Sequence, residues 1–291
     1  MPNRFRSVPR VTVILPAALL AVFASGQPAA SSGQFPPYRA SRLDGHPDLN
    51  GLWQALVTAN WDMRDHEAQS GLHPELEGAY DAAPAGQSII EGGVIPYQDW
   101  AVKKQKENFQ NRGKVDVSND DNRHALGDPE LKCYMPGVPR ATYMPFPFRI
   151  VQGSSPYILI AYEFTSATRI IRMNWKQEAP TPSWMGWSRG HWEGDTLVVD
   201  VTGQREESWF DRAGDFHSDA LHVTERYTPA SPYHLMYQAT IEDPKVYTRP
   251  WKISFPLYRR MEKDAQLLEF KCVPFTEDLL FGRFGKTGGS R

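Results

Sequence analysis

Residues 184–226 read WMGWSRGHWEGDTLVVDVTGQREESWFDRAGDFHSDALHVTER, and this run decides the fold. Gly190, His191, Trp192 and Glu193 lead into a turn at Gly194-Asp195. In the segment 196–202 that follows, Leu197, Val199 and Val201 fall on one face and Val198, Asp200 and Thr202 on the other. Alternation of this kind marks a strand. A Glu-Gly-Asp segment between two such runs supplies the positive-φ glycine that a tight hairpin needs. The loop 203–216 then carries Trp209, Asp211 and Arg212. His217 closes the loop, and a second strand, 220–227, leaves it. Carboxylates, histidines and tryptophans on a loop between strands are where function is to be sought.

Working outward, the same period recurs at short intervals over 148–152, 157–164, 168–174, 234–242, 251–258 and 267–273. In 157–164, Ile158, Ile160, Tyr162 and Phe164 oppose Leu159, Ala161 and Glu163. In 168–174, Arg169, Ile171 and Met173 oppose Ile170 and Arg172. The links lack the helices that parallel crossovers require, so the sheet is expected to be antiparallel. The fold class read from this pattern is mainly all-β, an antiparallel up-and-down, lipocalin-like β-barrel over 148–280. Closure would remove exposed edges. A two-sheet β-sandwich is the runner-up. Lys, Arg and Glu recur on both strand faces, which argues against a lipid-facing outer-membrane barrel. About eight strands would leave room for side chains or one small ligand.

On the N-terminal side, Arg4, Arg6 and Arg10 precede an apolar run over 11–23 and then Ala24, Ser25 and Gly26. This is the layout of a signal peptide, 1–26, too short to span a bilayer comfortably. The expectation is an exported protein, periplasmic or secreted, with no stable membrane insertion after cleavage. Residues 27–43 read as a flexible Pro/Ser/Gly-rich leader and 44–147 as an N-terminal extension with one helix over about 97–112. Residues 281–291 form a tail. In an exported chain the two cysteines, Cys133 and Cys272, fit one disulfide closing a loop of well over a hundred residues. The formal net charge of −2 gives no basic field for nucleic acid. Lys103, Lys104 and Lys106 form the wet face of the helix. His66 and His73 read as solvated loop histidines, because no metal-ligand spacing surrounds them.

Several motifs stand in a fixed order: GHPDLNGLW (45–53), Asp128-Pro129, CYMPGVPR (133–140), MPFPF (144–148), WEGDTLVVD (192–200), His217-Ser218, Glu225-Arg226, Glu242-Asp243-Pro244 and Arg249-Pro250-Trp251. Over roughly 44–280 the chain resembles a large family of uncharacterised exported bacterial proteins that open with a Gly-x-Pro-Asp-Leu-x-Gly-x-Trp turn. The resemblance implies an exported, β-rich domain and brings no activity. The chain departs from the family pattern after Gly203, where the family continues Phe-Asn-Asp and this sequence has Gln204-Arg205-Glu206.

Charged residues at inward strand positions are costly unless paired or used. Glu163 and Arg169 flank a short link and are expected to pair across it. They form either a structural ion pair or a pocket pair, with Arg169 binding substrate and Glu163 acting as base. His217, with Asp211 upstream, reads as a general acid/base unit or as a loop-stabilising hydrogen bond. Ser218 lacks the Gly-x-Ser-x-Gly elbow of a nucleophile. Tyr143 is an acid candidate, and Trp184, Trp192 and Trp209 are core or pocket aromatics. His191, His217 and His222 are the alternative copper or zinc ligands, although their spacing matches no established site. The reading is therefore a small-molecule-binding barrel doing acid/base chemistry on a small apolar or aromatic substrate without a cofactor. Hydrolysis, elimination and isomerisation all fit. A non-catalytic lipocalin-type binder is the alternative, and a histidine-ligated metal protein the weaker one.

Overall fold

The computed structural model describes residues 38–71, 82–113 and 127–274. The signal segment, the leader up to residue 37, His73 and the tail lie outside these residues. The end of the leader is not a free strand of chain: β1 (Arg42–Leu43) pairs with β2 (His46–Pro47) across the turn at Asp44-Gly45.

Nine strands close a barrel. They are β3 (Gly51–Ala55), β4 (Phe148–Val151), β5 (Tyr157–Tyr162), β6 (Thr168–Met173), β7 (Trp187–Glu193), β8 (Thr196–Thr202), β9 (His222–Ser231), β10 (His234–Glu242) and β11 (Trp251–Arg259). They follow one another around the ring in chain order, and β11 pairs with β3 to close it. The closing strand, β3, comes from the segment read as an extension, so the barrel begins within 44–147. It also explains why 267–273, expected to be a strand, is irregular: the ring is complete at Arg259 and offers no edge to pair with.

The barrel is mixed, which corrects the all-antiparallel expectation. Strand directions that alternate around a ring return to their start only when the count is even. With nine strands at least one neighbouring pair must run parallel, and it is β6 with β7, at Ile171–Ser188, Arg172–Arg189 and Met173–Gly190. Residues 174–186 carry the chain back along the barrel to make this possible. Gly190 lets the two strands approach: a Cβ there would stand 2.6 Å from Ile171 Cγ2 and 2.7 Å from Met173 Sδ.

The strand directions sort the connections by end. Tight links join β7 to β8 and β9 to β10 at one end. At the other end lie the residues that leave β3 and those that enter β4, with 163–167, 203–221 and 243–250. That long-loop end carries α1 (Asp99–Asn111), a 3-10 turn at Pro129–Lys132 and α2 (Arg140–Tyr143). The helix falls within the expected 97–112. The inward faces are those the alternation assigns: Ile158, Ile160, Tyr162, Val199, Val201, Leu235, Tyr237, Ala239 and Ile241 are buried. Trp53, Phe148, Tyr227, Phe255 and Leu257 join them in one core.

Cys133 and Cys272 form a disulfide, with Cα atoms 5.7 Å apart. It ties the turn after Lys132 to the chain beyond β11. Among the described residues no helix is long and apolar enough to cross a membrane.

Candidate functional site

The residues singled out in the sequence do not assemble as expected. Glu163 and Arg169 do not pair. Alternation sends Arg169 inward and Glu163 outward, and the chain leaves β5 at Tyr162. Glu163 accepts from Leu268 N at 2.8 Å on the outside. Arg169 instead reaches across the barrel to Glu225 on β9, with Nη1 donating to Oε1 at 3.1 Å and Nη2 to Oε2. Arg169 Nε donates to Ser188 Oγ at 2.7 Å, and the hydroxyls of Tyr227 and Tyr237 donate to Glu225 Oε1 at 2.9 Å each. This saturated, buried network holds the barrel interior together and leaves Arg169 no free donor face for a substrate.

His217 and Asp211 are also separate. His217 Nδ1 donates to Ser218 O at 2.9 Å, which makes Nε2 the acceptor for Ser208 Oγ at 2.8 Å. Burial pulls the His217 pKa down. The resulting Ser–His pair is closed: Ser208 and His217 are 1% and 3% exposed. Ser218 caps Asp243 through its N–H and hydroxyl. Tyr143 is buried and donates to Phe210 O at 2.7 Å. Trp184 packs on Tyr134, Trp192 stacks on His46 at 4.8 Å, and Trp209 packs against the core. The alternative metal set is dispersed, with His191 on Glu193 and His222 on Asp200.

What does assemble lies at the long-loop end, between the segment after β3 and the loop 203–221. Helix α1 docks on that loop through Gln105 Nε2 to Ala213 O (2.6 Å) and Asn108 Nδ2 to Gly214 O (3.2 Å). Gly214 has φ +87°, and a Cβ there would meet the helix at 2.8 Å from both Asn108 Cβ and Phe109 N, so glycine is required. The segment 58–66 is stitched to the same loop by Arg212 N to Asn60 O, Met63 N to Asp211 Oδ2 and a two-pronged contact of Arg64 with Asp215.

Between these pieces opens a small cleft walled by Trp61, Asp62, His66, Phe109, Leu131 and Arg212 among others. His66 Nδ1 stands 2.8 Å from Arg64 O. A carbonyl only accepts, so Nδ1 carries the proton and Nε2 is the lone-pair side of the ring. His66 Nε2, Thr58 Oγ1 and Trp61 Nε1 are shut off from solvent without a hydrogen-bond partner. Both Thr58 Oγ1 and the His66 ring press on Gly86. His66 is thus not the solvated loop histidine the sequence suggested. The Asp62 carboxyl takes the Arg64 N–H on Oδ1 at 2.8 Å, and burial raises its pKa.

Behind Asp62 stand Asp211 and Asp215, both fully buried. Burial first, then the charges of Asp215 and Asp62, push the Asp211 carboxyl well above the usual aspartate range. Tyr97 OH donates to Asp215 Oδ1 at 2.7 Å. The three carboxylates offer oxygens within 4.8 Å of one another. A cation would have to compete with Arg64 on Asp215 and with the backbone N–H groups of Met63 and Asp215 on Asp211. The guanidinium therefore takes the place a metal would hold.

The floor of the cleft is a second buried network. Arg140 binds Asp128 through both Nη atoms (2.9 and 3.0 Å), Glu130 at 2.7 Å and Asn60 at 2.8 Å, while Arg212 clasps Glu130 at 2.8 and 2.9 Å. Burial would raise the Glu130 pKa, but Arg212, Arg140 and Asn60 outweigh it and hold the carboxyl at about 2 against an ordinary 4.5. A depressed carboxylate contributes stability above its unfolded value and loses it as pH falls through the folded one. Glu130 should therefore contribute about 3 kcal/mol that disappears between pH ~4.5 and ~2. Denaturant unfolding of the protein and Glu130→Gln across this range should show the gap closing by that amount. A gap independent of pH would refute the assignment.

Trp61 and Asp62 escaped the sequence reading, and His66 was read as a solvated loop histidine, because 60–94 has no period. The only signal was the density of Trp, Asp, Arg and His in NWDMRDH at 60–66. Comparison of the chain with protein-family models, curated proteins and solved structures yields no match.

Proposed function

We propose that this is an exported protein that binds a small molecule in the cleft beside the barrel rather than in the barrel's interior, and performs acid/base chemistry on it. The observation that carries the reading is the cleft wall itself. It sets Asp62, a carboxyl whose hold on its proton is strengthened by burial, beside two side-chain groups, Trp61 Nε1 and His66 Nε2, that no protein atom satisfies. Such groups are costly to bury unless something fills their hydrogen-bonding capacity. In this reading a small adjustment of the wall, or an enclosed water, joins Trp61 Nε1 and His66 Nε2 to the ligand, and Asp62 exchanges a proton with it. Trp61, Phe109 and Leu131 favour a ligand with a flat or apolar portion. The disulfide suits an oxidising compartment, so the periplasm or the exterior is the proposed location. Membership in the exported family that the motifs resemble belongs to the same proposal.

The second reading is binding without turnover. It is favoured by the sealing of His217 and Asp211, the groups otherwise best suited to proton transfer.

The test is native mass spectrometry of the protein purified from the periplasm, followed by assays on whatever organic molecule is retained. Trp61→Phe should weaken binding of that molecule about fivefold to tenfold, the worth of one hydrogen bond. Asp62→Asn should keep binding and lower turnover by about a hundredfold or more. Turnover unchanged in Asp62→Asn removes the catalytic role, and binding indifferent to Trp61→Phe removes the cleft.

A further inference from the structure

Away from the cleft, the outer face of the barrel is not uniform. The outward positions are Arg149 and Val151 on β4, Tyr157, Leu159 and Ala161 on β5, and Thr168, Ile170 and Arg172 on β6. None is acidic. Pairing sets Val151, Leu159 and Ile170 side by side in one row across the three strands. Val151, Ile170 and the neighbouring Tyr157 are 44%, 42% and 41% exposed, so the row stands open. Single exposed apolar residues mean little, but a run of them in register marks a contact surface. Cations rim it. Arg149 stands beside the row, and Arg172, across from Tyr157, lays its guanidinium 3.6 Å from the ring centre of Trp187 and 5.9 Å from that of Trp175. Lys176 follows. Among the described residues Arg149, Arg172 and Lys176 have no carboxylate partner, and the acid nearest in sequence, Glu178, is held by Arg189. Beyond the parallel seam the outer face is different: Arg226 holds Glu193, and His222 holds Asp200.

We propose that the outer face of β4, β5 and β6 docks the protein on an anionic phospholipid surface, which it lies against without crossing. Charge complementarity selects this occupant. Unneutralised cations around an apolar row match lipid phosphates around an acyl boundary, and binding of this kind draws on both terms. Tyr157 and Trp175 have the amphipathic rings that settle at headgroup depth. Arg149, Arg172 and Lys176 can lay their stems along the apolar row while their charged ends meet phosphate. A second copy of the chain fits this face poorly, because a two-fold contact would bring the same cations together. A spanning barrel would need an apolar band on every side, and the ion pairs of β7, β8 and β9 interrupt it. The row lies toward the 152–156 link, at the end of the barrel away from the cleft, so docking leaves the cleft open.

The experiment sediments the intact, disulfide-bonded protein with vesicles of equal parts phosphatidylglycerol and phosphatidylcholine, and with vesicles of phosphatidylcholine alone. Binding is expected to the anionic vesicles, about tenfold or more weaker to the neutral ones, and reduced as salt is raised. Arg149→Gln with Lys176→Gln, both at exposed positions, should weaken it about twentyfold, at roughly fivefold per cation. Ile170→Asp should abolish it with the circular dichroism of the barrel unchanged. Lys252→Gln, which removes an exposed cation on β11, should bind as the parent does. Absence of binding to anionic vesicles, equal binding to both kinds, or binding unmoved by the double glutamine variant overturns the proposal. A change of oligomeric state in Ile170→Asp without loss of vesicle binding also overturns it, because the face would then belong to a protein contact.

Discussion

Glu225→Ala is expected to cost about 3–5 kcal/mol, a large share of the roughly 5–15 kcal/mol that keeps an ordinary domain folded. The truncation leaves the Arg169 guanidinium in the barrel interior with Ser188 Oγ as its chief remaining partner, and removes the acceptor shared by Tyr227 and Tyr237. Arg169 is 2% exposed and Glu225 fully buried, so water cannot replace the lost carboxylate. The pair and its hydroxyls span β6, β7, β9 and β10, and their loss is felt across half the ring. A buried pair stabilises weakly against an apolar equivalent even though breaking it is severe. Arg169→Met combined with Glu225→Leu should therefore lie much closer to the parent than Glu225→Ala does. Denaturant midpoints of the three proteins decide the matter. A single variant as stable as the parent, or a double variant no better than the single, would show that the pair is not the interior's keystone.

Removing the disulfide is the other large effect. Cys133 and Cys272 are 139 residues apart, and the chain-entropy model gives about 5 kcal/mol for a loop of that length. The native side is equally exposed to the loss. The described chain beyond Arg259 forms no strand: Arg260 holds to β3 through Leu52 O and Gln54 Oε1, and farther on Leu268 N donates to Glu163, Phe270 packs against Phe146 and Phe164, and the disulfide follows. Cys133→Ala with Cys272→Ala should lower the unfolding free energy by an amount of that order and free the 260–274 segment, seen as faster amide exchange there. A change below about 1 kcal/mol would mean that the loop is already closed by other contacts in the unfolded chain.

Much of this architecture is legible in the residues. Leu197, Val199 and Val201 alternate because a half-buried strand must, and the same period found the inward faces over 157–164, 168–174 and 234–242. The period also held information that proximity in sequence obscured. Arg169 lies on the face of Ile171, whereas Glu163 lies on the face of Leu159 and Ala161, so the two could not meet inside the barrel. Glu225 shares its face with Val223 and Tyr227, and this alternation marks it as the inward acid. The parallel seam was invisible because it follows from the number of strands in a closed ring, and β3, a short strand that the turn before Leu52 and Trp53 leads into, lay in the segment read as an N-terminal extension. The cleft was harder still. Its parts at 61–70, 83, 109–112, 128–131 and 212–213 come from five irregular or terminal stretches, where side-chain placement depends on tertiary hydrogen bonds rather than on a repeat.

β3 meets β11 at three residue pairs and β4 at three, whereas β10 meets β9 at nine. It is the shortest of the nine save β4, and its chain runs straight on into the wall that carries Trp61, Asp62 and His66. Closing the ring and building the cleft are therefore one mechanical act. Whatever braces that wall also latches the barrel, and a chain that loses its grip on β3 loses the cleft before it loses the sheet.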